Sequence, residues 1–272
     1  MRTHRRSLNL WTLAAALGSV ALGEILVPCT AFADIPAVAQ RQRTEKKTFT
    51  DSEIVDGFLK TAFGAEYHLA GRVDRIRKYD APVRVFADGV RRSNRKAQLA
   101  KVVADIARRV QHLDIAMADS SESANVVVKL VRDRDLYRTI GAFYGADRAR
   151  EIRSNLDPQC LSGFRKNDKY EIEHSDVILT VDNGDFTFLD CAYEELLQSL
   201  GPINDTKSIP WTMFNDSVQM GFFDVYDQYI MNILYDPRIR PGMTVTEVKA
   251  VLPQVLADVR VWVAKVNGLP LE

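Results

Sequence analysis

The sequence predicts an α+β fold, and three observations carry that reading. Asn125 to Val131, NVVVKLV, is a β-branched run of the kind a buried strand shows, and shorter strand-like runs stand at 82–86 and 177–181. Between them, apolar residues recur at helical spacing. After the block that starts at Cys191, the chain reads as mostly helical.

Taken in order, residues 1–33 read as a signal peptide. Arg2, Arg5 and Arg6 make a basic start, Leu8 to Val27 is mostly apolar, and Ala31-Phe32-Ala33 supplies the small residues of a cleavage site. The product is expected to be periplasmic or secreted, cut near Ala33. Residues 34–49 are polar and mixed, and are expected to form a flexible leader. A single domain is expected over 50–266, followed by a tail at 267–272. Thr50 or Asp51 can cap a first helix with Ile54, Val55, Phe58, Leu59 and Ala62 as its stripe. Pro82 to Phe86 alternates as a strand does. Ser93 or Asn94 caps a helix with the stripe Leu99, Val102, Val103, Ile106, Val110 and Leu113, and Lys101, Asp105, Arg108 and Arg109 are expected to face water.

Asp133 to Ser154 is dense in charge, with Tyr137, Ile140, Phe143 and Tyr144 on one helical face. Val177 to Val181 is the third strand, closed by the turn Asp182-Asn183-Gly184-Asp185. That turn resembles the start of a calcium loop, but its glycine comes too early and no glutamate follows at the twelfth position. Asp224 can cap a helix carrying Tyr229, Ile230, Ile233 and Leu234. Asp236 to Met243 is a rigid loop with two prolines, and Thr244 with Glu247 forms a capping box for a last helix that Pro253 is expected to kink or split.

Removing residues 1–33 takes away three arginines and one glutamate, leaving 33 basic and 35 acidic side chains among 239 residues. A net charge of −2 excludes the strongly basic surface of a nucleic-acid binder. After signal cleavage no long apolar run remains, so no membrane partner is expected. Cys160 and Cys191 survive cleavage, and an even pair in an oxidising compartment reads as a disulfide, with two separate buried thiols as the alternative.

The chain is organised around Cys191 to Asp205, CAYEELLQSLGPIND. Glu194 and Gln198 are four apart and share a helical face, while Glu195 is rotated by about 100°. Gly201 can end the helix in a conformation open to glycine, and Asn204 and Asp205 follow in the returning chain. The pattern E-E-x-x-Q-x-x-G-x-x-N-D resembles the zinc-peptidase pattern H-E-x-x-H-x-x-G-x-x-H/D. It matches at Glu195 and Gly201 and keeps the spacing elsewhere, with both helix histidines missing. The plainer alternative is that Glu194 and Glu195 answer the macrodipole near a helix N-terminus and Gln198 is a surface residue.

Val83 to Phe86, Cys160, the CAYEELLQSLGPIND block and the LYDPRIRPGMT block together resemble the domain-of-unknown-function family 2927, over most of residues 50–265. That family consists of exported bacterial proteins and looks like a degenerate branch of the zinc-dependent peptidases. The resemblance implies a metzincin-like twisted sheet backing an active-site-like helix, with a mostly helical C-terminal part. It brings no established activity. On it, Glu195 stands as a vestigial general base, and Glu194, Gln198, Asn204 and Asp205 stand at degenerate ligand positions. Gly201 is the turn, Met243 or Met231 would be the methionine under the site, and Tyr235 and Arg238 would line a cleft. His174 is the one histidine near enough in sequence to approach.

Zinc prefers nitrogen and thiolate, so no zinc is expected, and an oxygen set of this kind suits a hard divalent cation better. The expected function is a non-catalytic binding or scaffold protein for an unknown peptide or envelope protein. The alternative is an active hydrolase using Glu195 as general base with a non-zinc or atypical metal site. A purely structural envelope protein is the third class.

Overall fold

The computed structural model describes residues 32, 34–64, 74–89, 94–155, 159–202 and 204–271. The basic start, the apolar run and Ala31 and Ala33 of the expected cleavage site lie outside these residues, as does the cap candidate Ser93. Among the described residues no helix is long and apolar enough to cross a membrane.

Mixed helices and strands build around a five-stranded, mostly parallel sheet, as an α+β reading requires. The strands are β1 (Val83–Gly89), β2 (Ile115–Met117), β3 (Val126–Val131), β4 (Cys160–Lys166) and β5 (Ile172–Thr180), in the order β2-β1-β3-β5-β4. Only β4 runs antiparallel, pairing Cys160 with Leu179 and Ser162 with Val177. The alternation seen in the sequence is a burial pattern, since Val83, Val85 and Ala87 are buried on β1 and Val126, Val128 and Leu130 on β3. Sequence periodicity missed β2 and β4. The first is three residues long, and the second is an edge strand whose glycine and charged end carry no alternating stripe.

The helices are α1 (Pro36–Thr44), α2 (Asp51–Ala62), α3 (Arg95–Arg109), α4 (Leu136–Tyr144), α5 (Ala146–Asn155), α6 (Asp185–Ser199), α7 (Val225–Tyr235) and α8 (Val245–Asn267). Thr50 and Glu53 close a capping box on α2, and Thr244 and Glu247 do the same on α8. Helix α6 packs on β4 and β5, and α3 packs on β1, β2 and α6. On the other face of the sheet, α4 and α5 bury Leu136, Ile140 and Ile152 with Leu161 and Ile178. Phe143, expected on that apolar face, is instead exposed.

Four further expectations change. The leader at 34–49 contains α1, whose Val38 is fully buried, and Phe49 joins the core. Arg41 ties α1 down, donating to the Gln219 carbonyl at 2.6 Å and lying over the Phe186 ring. Asp105 and Arg109 do not face water. Both are buried, because Asp105 accepts from Tyr193 on α6 at 3.0 Å and Arg109 donates to Asn267 at the end of α8 at 2.7 Å. Asn267, placed in the expected tail, is therefore part of the packed structure. Pro253 does not divide α8, which runs on through it. Pro253 and Lys249, whose carbonyl loses its partner there, are both exposed, so water can replace the missing bond.

The Cys160–Cys191 disulfide is formed, with Cα atoms 5.9 Å apart, and it fastens the first residue of β4 to the middle of α6. The two cysteines are 31 residues apart, so the bond removes loop freedom from the unfolded chain worth about 3–4 kcal/mol in the chain-entropy treatment. Urea unfolding with and without reductant is expected to show a loss of that size. A change below about 1 kcal/mol would contradict it.

Candidate acidic cleft

Helix α6 starts six residues before Cys191, so Glu194 and Glu195 lie in its C-terminal half. The macrodipole there disfavours carboxylates, which removes the plainer explanation of the pair. Both side chains are also drawn inward. Glu195 is buried and shares the face of Cys191, four residues earlier, against β4. Glu194 is on the other stripe, with Asp190 one turn before it and Gln198 one turn after.

Gln198 is buried and makes two contacts that set its orientation. Its amide donates to Asp205 at 2.7 Å, and its carbonyl oxygen accepts from Ser162 of β4 at 3.4 Å. The returning chain thus brings Asp205 back over the helix. Asn204 turns elsewhere, donating its amide to the Lys60 carbonyl at 2.7 Å, so it closes the C-terminal end of α2. Oxygens of Glu194, Asp205 and Asp216 all lie within 4.8 Å of one another.

Asp216 was not foreseen, since it comes from the loop after the helix. Asn215 shapes that loop by accepting from the Ser217 amide and donating to the Ile209 carbonyl. Asp190 holds the far end, accepting from the amides of Met220 at 2.6 Å and Gly221 at 3.0 Å. The i, i+4 stripe Asp190, Glu194, Gln198 was open to reading in the sequence. Nothing in Phe214-Asn215-Asp216-Ser217 beyond turn chemistry pointed toward α6.

The electrostatics are one-sided. Burial first, then Glu195, Asp205, Asp190 and Asp216 in that order, push the Glu194 carboxyl well above its usual range. No basic group is among those leading influences. Asp190 is raised to about 6 by burial, which outweighs its two backbone hydrogen bonds and the nearby Arg41.

The remaining candidates are placed as follows. Gly201 ends α6 with φ 142°, and Tyr235 is buried with its hydroxyl donating to the Leu200 carbonyl at 2.9 Å. Arg238 pairs with Asp236 and Asp258 at 2.7 Å each, on a separate hollow of about 420 Å³ that also has His112 in its wall. Met243 is buried, and its backbone pairs with Ile76. Met231 is buried within α7. His174 bonds Asp176 at 3.2 Å on the face of β5 away from Ser175, which contacts α6, so it does not approach the cleft. The turn at 182–185 is used structurally, Asp182 accepting from the Asp133 amide and Asp185 pairing with Arg95. A larger hollow of about 680 Å³ lies between residues 47–51 and the end of α8, remote in chemistry from these carboxylates. The converging carboxylates, rather than volume, single out the cleft.

A carboxyl raised from 3.8 to about 6 holds more protons folded than unfolded between those values. Stability therefore falls as pH rises through that window and stays lowered above it, by on the order of 2–3 kcal/mol. Asp190→Asn keeps an oxygen for the Met220 and Gly221 amides and removes the charge. Thermal unfolding is expected to show a higher Tm than the parent at about pH 7.5 and no gain at about pH 4. A Tm lowered at both would contradict the assignment.

No curated protein and no solved structure matches this chain. Residues 51–254 match the family described as "Protein of unknown function (DUF2927)". That span runs from the start of α2 through the whole sheet and α6 with its acidic cleft to the first part of α8, and the chain belongs to this family.

Proposed function

We propose that this is an exported binding protein on a peptidase-like scaffold, with a cleft that holds a ligand and does not hydrolyse it. The observation that carries the reading is the donor set on α6. The helix presents Glu194 and Gln198 at the two positions where a metzincin-type zinc peptidase presents histidines, and Asp205 returns to them after the Gly201 turn. The sheet order supports the ancestry, because four parallel strands end in one antiparallel edge strand, β4, that contacts α6 through Cys160 and Ser162.

Ligand chemistry argues against hydrolysis. Carboxylates and a neutral amide already bonded to Asp205 make a poor tetrahedral site for zinc. Without zinc nothing lowers the pKa of a water toward neutrality, which is what a general base at Glu195 needs. Export rests on the N-terminal residues, and the Cys160–Cys191 disulfide agrees with an oxidising compartment. The partner on this reading is a peptide or envelope protein.

Protein purified without chelator or metal-binding tag is expected to hold no stoichiometric zinc and to leave peptides intact. Glu194→His combined with Gln198→His is expected to gain zinc, because the helix already sets the i, i+4 spacing. Elemental analysis and a peptide digest measure both. Stoichiometric zinc in the parent, or peptide hydrolysis abolished by Glu195→Gln, would overturn the reading.

A further inference from the structure

We infer that Asp224 and Asp227 hold one proton between them, and that this proton locks the loop carrying Asp216 against α7. Asp224 caps α7, accepting from the Asp227 amide at 3.1 Å, and Asp227 lies in the first turn. Both are buried, with 1% and 0% of their surfaces exposed. The two carboxyls also bond side chain to side chain. A carboxylate has no proton to donate, so that contact requires one of the two to be the acid. Asp227 is the acceptor, because its oxygens already take the Thr212 hydroxyl at 2.5 Å and the Met213 amide at 2.8 Å. Asp224 Oδ2 is buried and, among the described residues, receives no N–H or O–H, so the proton belongs on Asp224.

The charged groups around the pair oppose a second ionisation. Glu45, from the segment after α1, faces it and accepts from the Val225 amide at 2.6 Å. Lys47 of that segment and Arg109 of α3 act on Glu45, and neither is among the leading influences on the two aspartates. One negative charge suits the N-terminal end of a helix, but a second at a buried site does not. Burial first, then Asp227, accordingly hold the Asp224 carboxyl well above its usual range. The consequence lies in the loop. Asp227 holds Thr212 and Met213, and Asn215 and Asp216 follow shortly after, so this anchor reaches the wall of the acidic cleft. Loss of the proton would set two carboxylates against each other there. The lock acts on the binding cleft proposed above, but its existence rests on these contacts alone.

The test uses Asp224→Asn, which keeps the cap oxygen and supplies an N–H toward Asp227 at every pH. Folded Asp224 keeps its proton above 3.8, where the unfolded chain loses it, so the parent's stability falls as pH rises from there to the folded pKa. The Tm of Asp224→Asn minus that of the parent is therefore expected to grow between about pH 4 and about pH 9. The infrared spectrum of the parent at about pH 7 is expected to hold a protonated carboxylic-acid band that Asp224→Asn lacks. Hydrogen exchange of the Met213 amide, corrected for its intrinsic rate, is expected to lose about tenfold protection or more in the parent between about pH 6 and about pH 9.5, and none in the variant. A Tm difference constant with pH, or an acid band unchanged by the substitution, would overturn the shared proton. Met213 protection that responds to pH alike in both proteins would overturn the lock. None of these measurements involves zinc or peptide, so a failed lock is distinguishable from a failed binding-cleft reading.

Discussion

Residue 201 has to lack a side chain, and the cleft depends on that. Its φ of 142° is open chiefly to glycine, and a Cβ there would overlap the carbonyl oxygen of Arg77. The segment Ile76–Tyr79 that crowds it is itself fixed from several sides. Arg77 is buried and donates to the carbonyls of Ala62 and Gly64 at the end of α2. Lys78 is buried and donates to those of Leu234 and Asp236 at the end of α7. Two cations thus serve two helix C-termini whose last carbonyls would otherwise lie buried without partners. Burial pulls Lys78 down to about 8, a measure of how far it is from water. Tyr79 completes the anchor through Ser175 of β5 at 2.7 Å.

Because that segment cannot yield, the chain leaving α6 has one path, over Arg77 and back toward the helix. Asn204 then meets the end of α2, and Asp205 meets Gln198. The cleft is therefore a consequence of backbone packing and of the Gln198–Asp205 hydrogen bond rather than of attraction among its carboxylates, which repel one another. The surrounding contacts resist that repulsion. The disulfide holds α6 to β4, Ser175 donates to the Ser199 carbonyl at 2.8 Å, and Tyr193 bonds Asp105. An arrangement that gathers like charges and braces them from outside is costly for folding, which fits a surface kept for binding.

Much of this was legible in the sequence, and the losses have physical causes. Strands β1, β3 and β5 announce themselves because burial imposes alternation or β-branched runs. The stripes of α2 and α3 are visible for the same reason, and Cys160 with Cys191 follows from counting. Strand β4 hid because its two buried residues, Leu161 and Ser162, are adjacent rather than alternating, and α1 hid because Val38 is its single buried side chain. In the sequence Asp105 and Arg109 look like surface charges because their partners, Tyr193 and Asn267, lie far along the chain. In the cleft, the i, i+4 relation of Glu194 and Gln198 could be read directly, and Gly201 gave the turn. Asp216 could not be read, since a loop's destination is set by tertiary packing, here by Asp190 and α1.

The most direct test of this account is the stability of Gly201→Ala, measured by urea unfolding against the parent. The substitution adds one methyl group where both the backbone angle and the Arg77 carbonyl oppose it. The account predicts a loss of about 3 kcal/mol or more, the upper end of what single substitutions cause. A loss within about 0.5 kcal/mol, the size of an unremarkable surface change, would mean that the turn does not rest on Arg77. The route that brings Asp205 to Glu194 and Gln198 would then need another explanation.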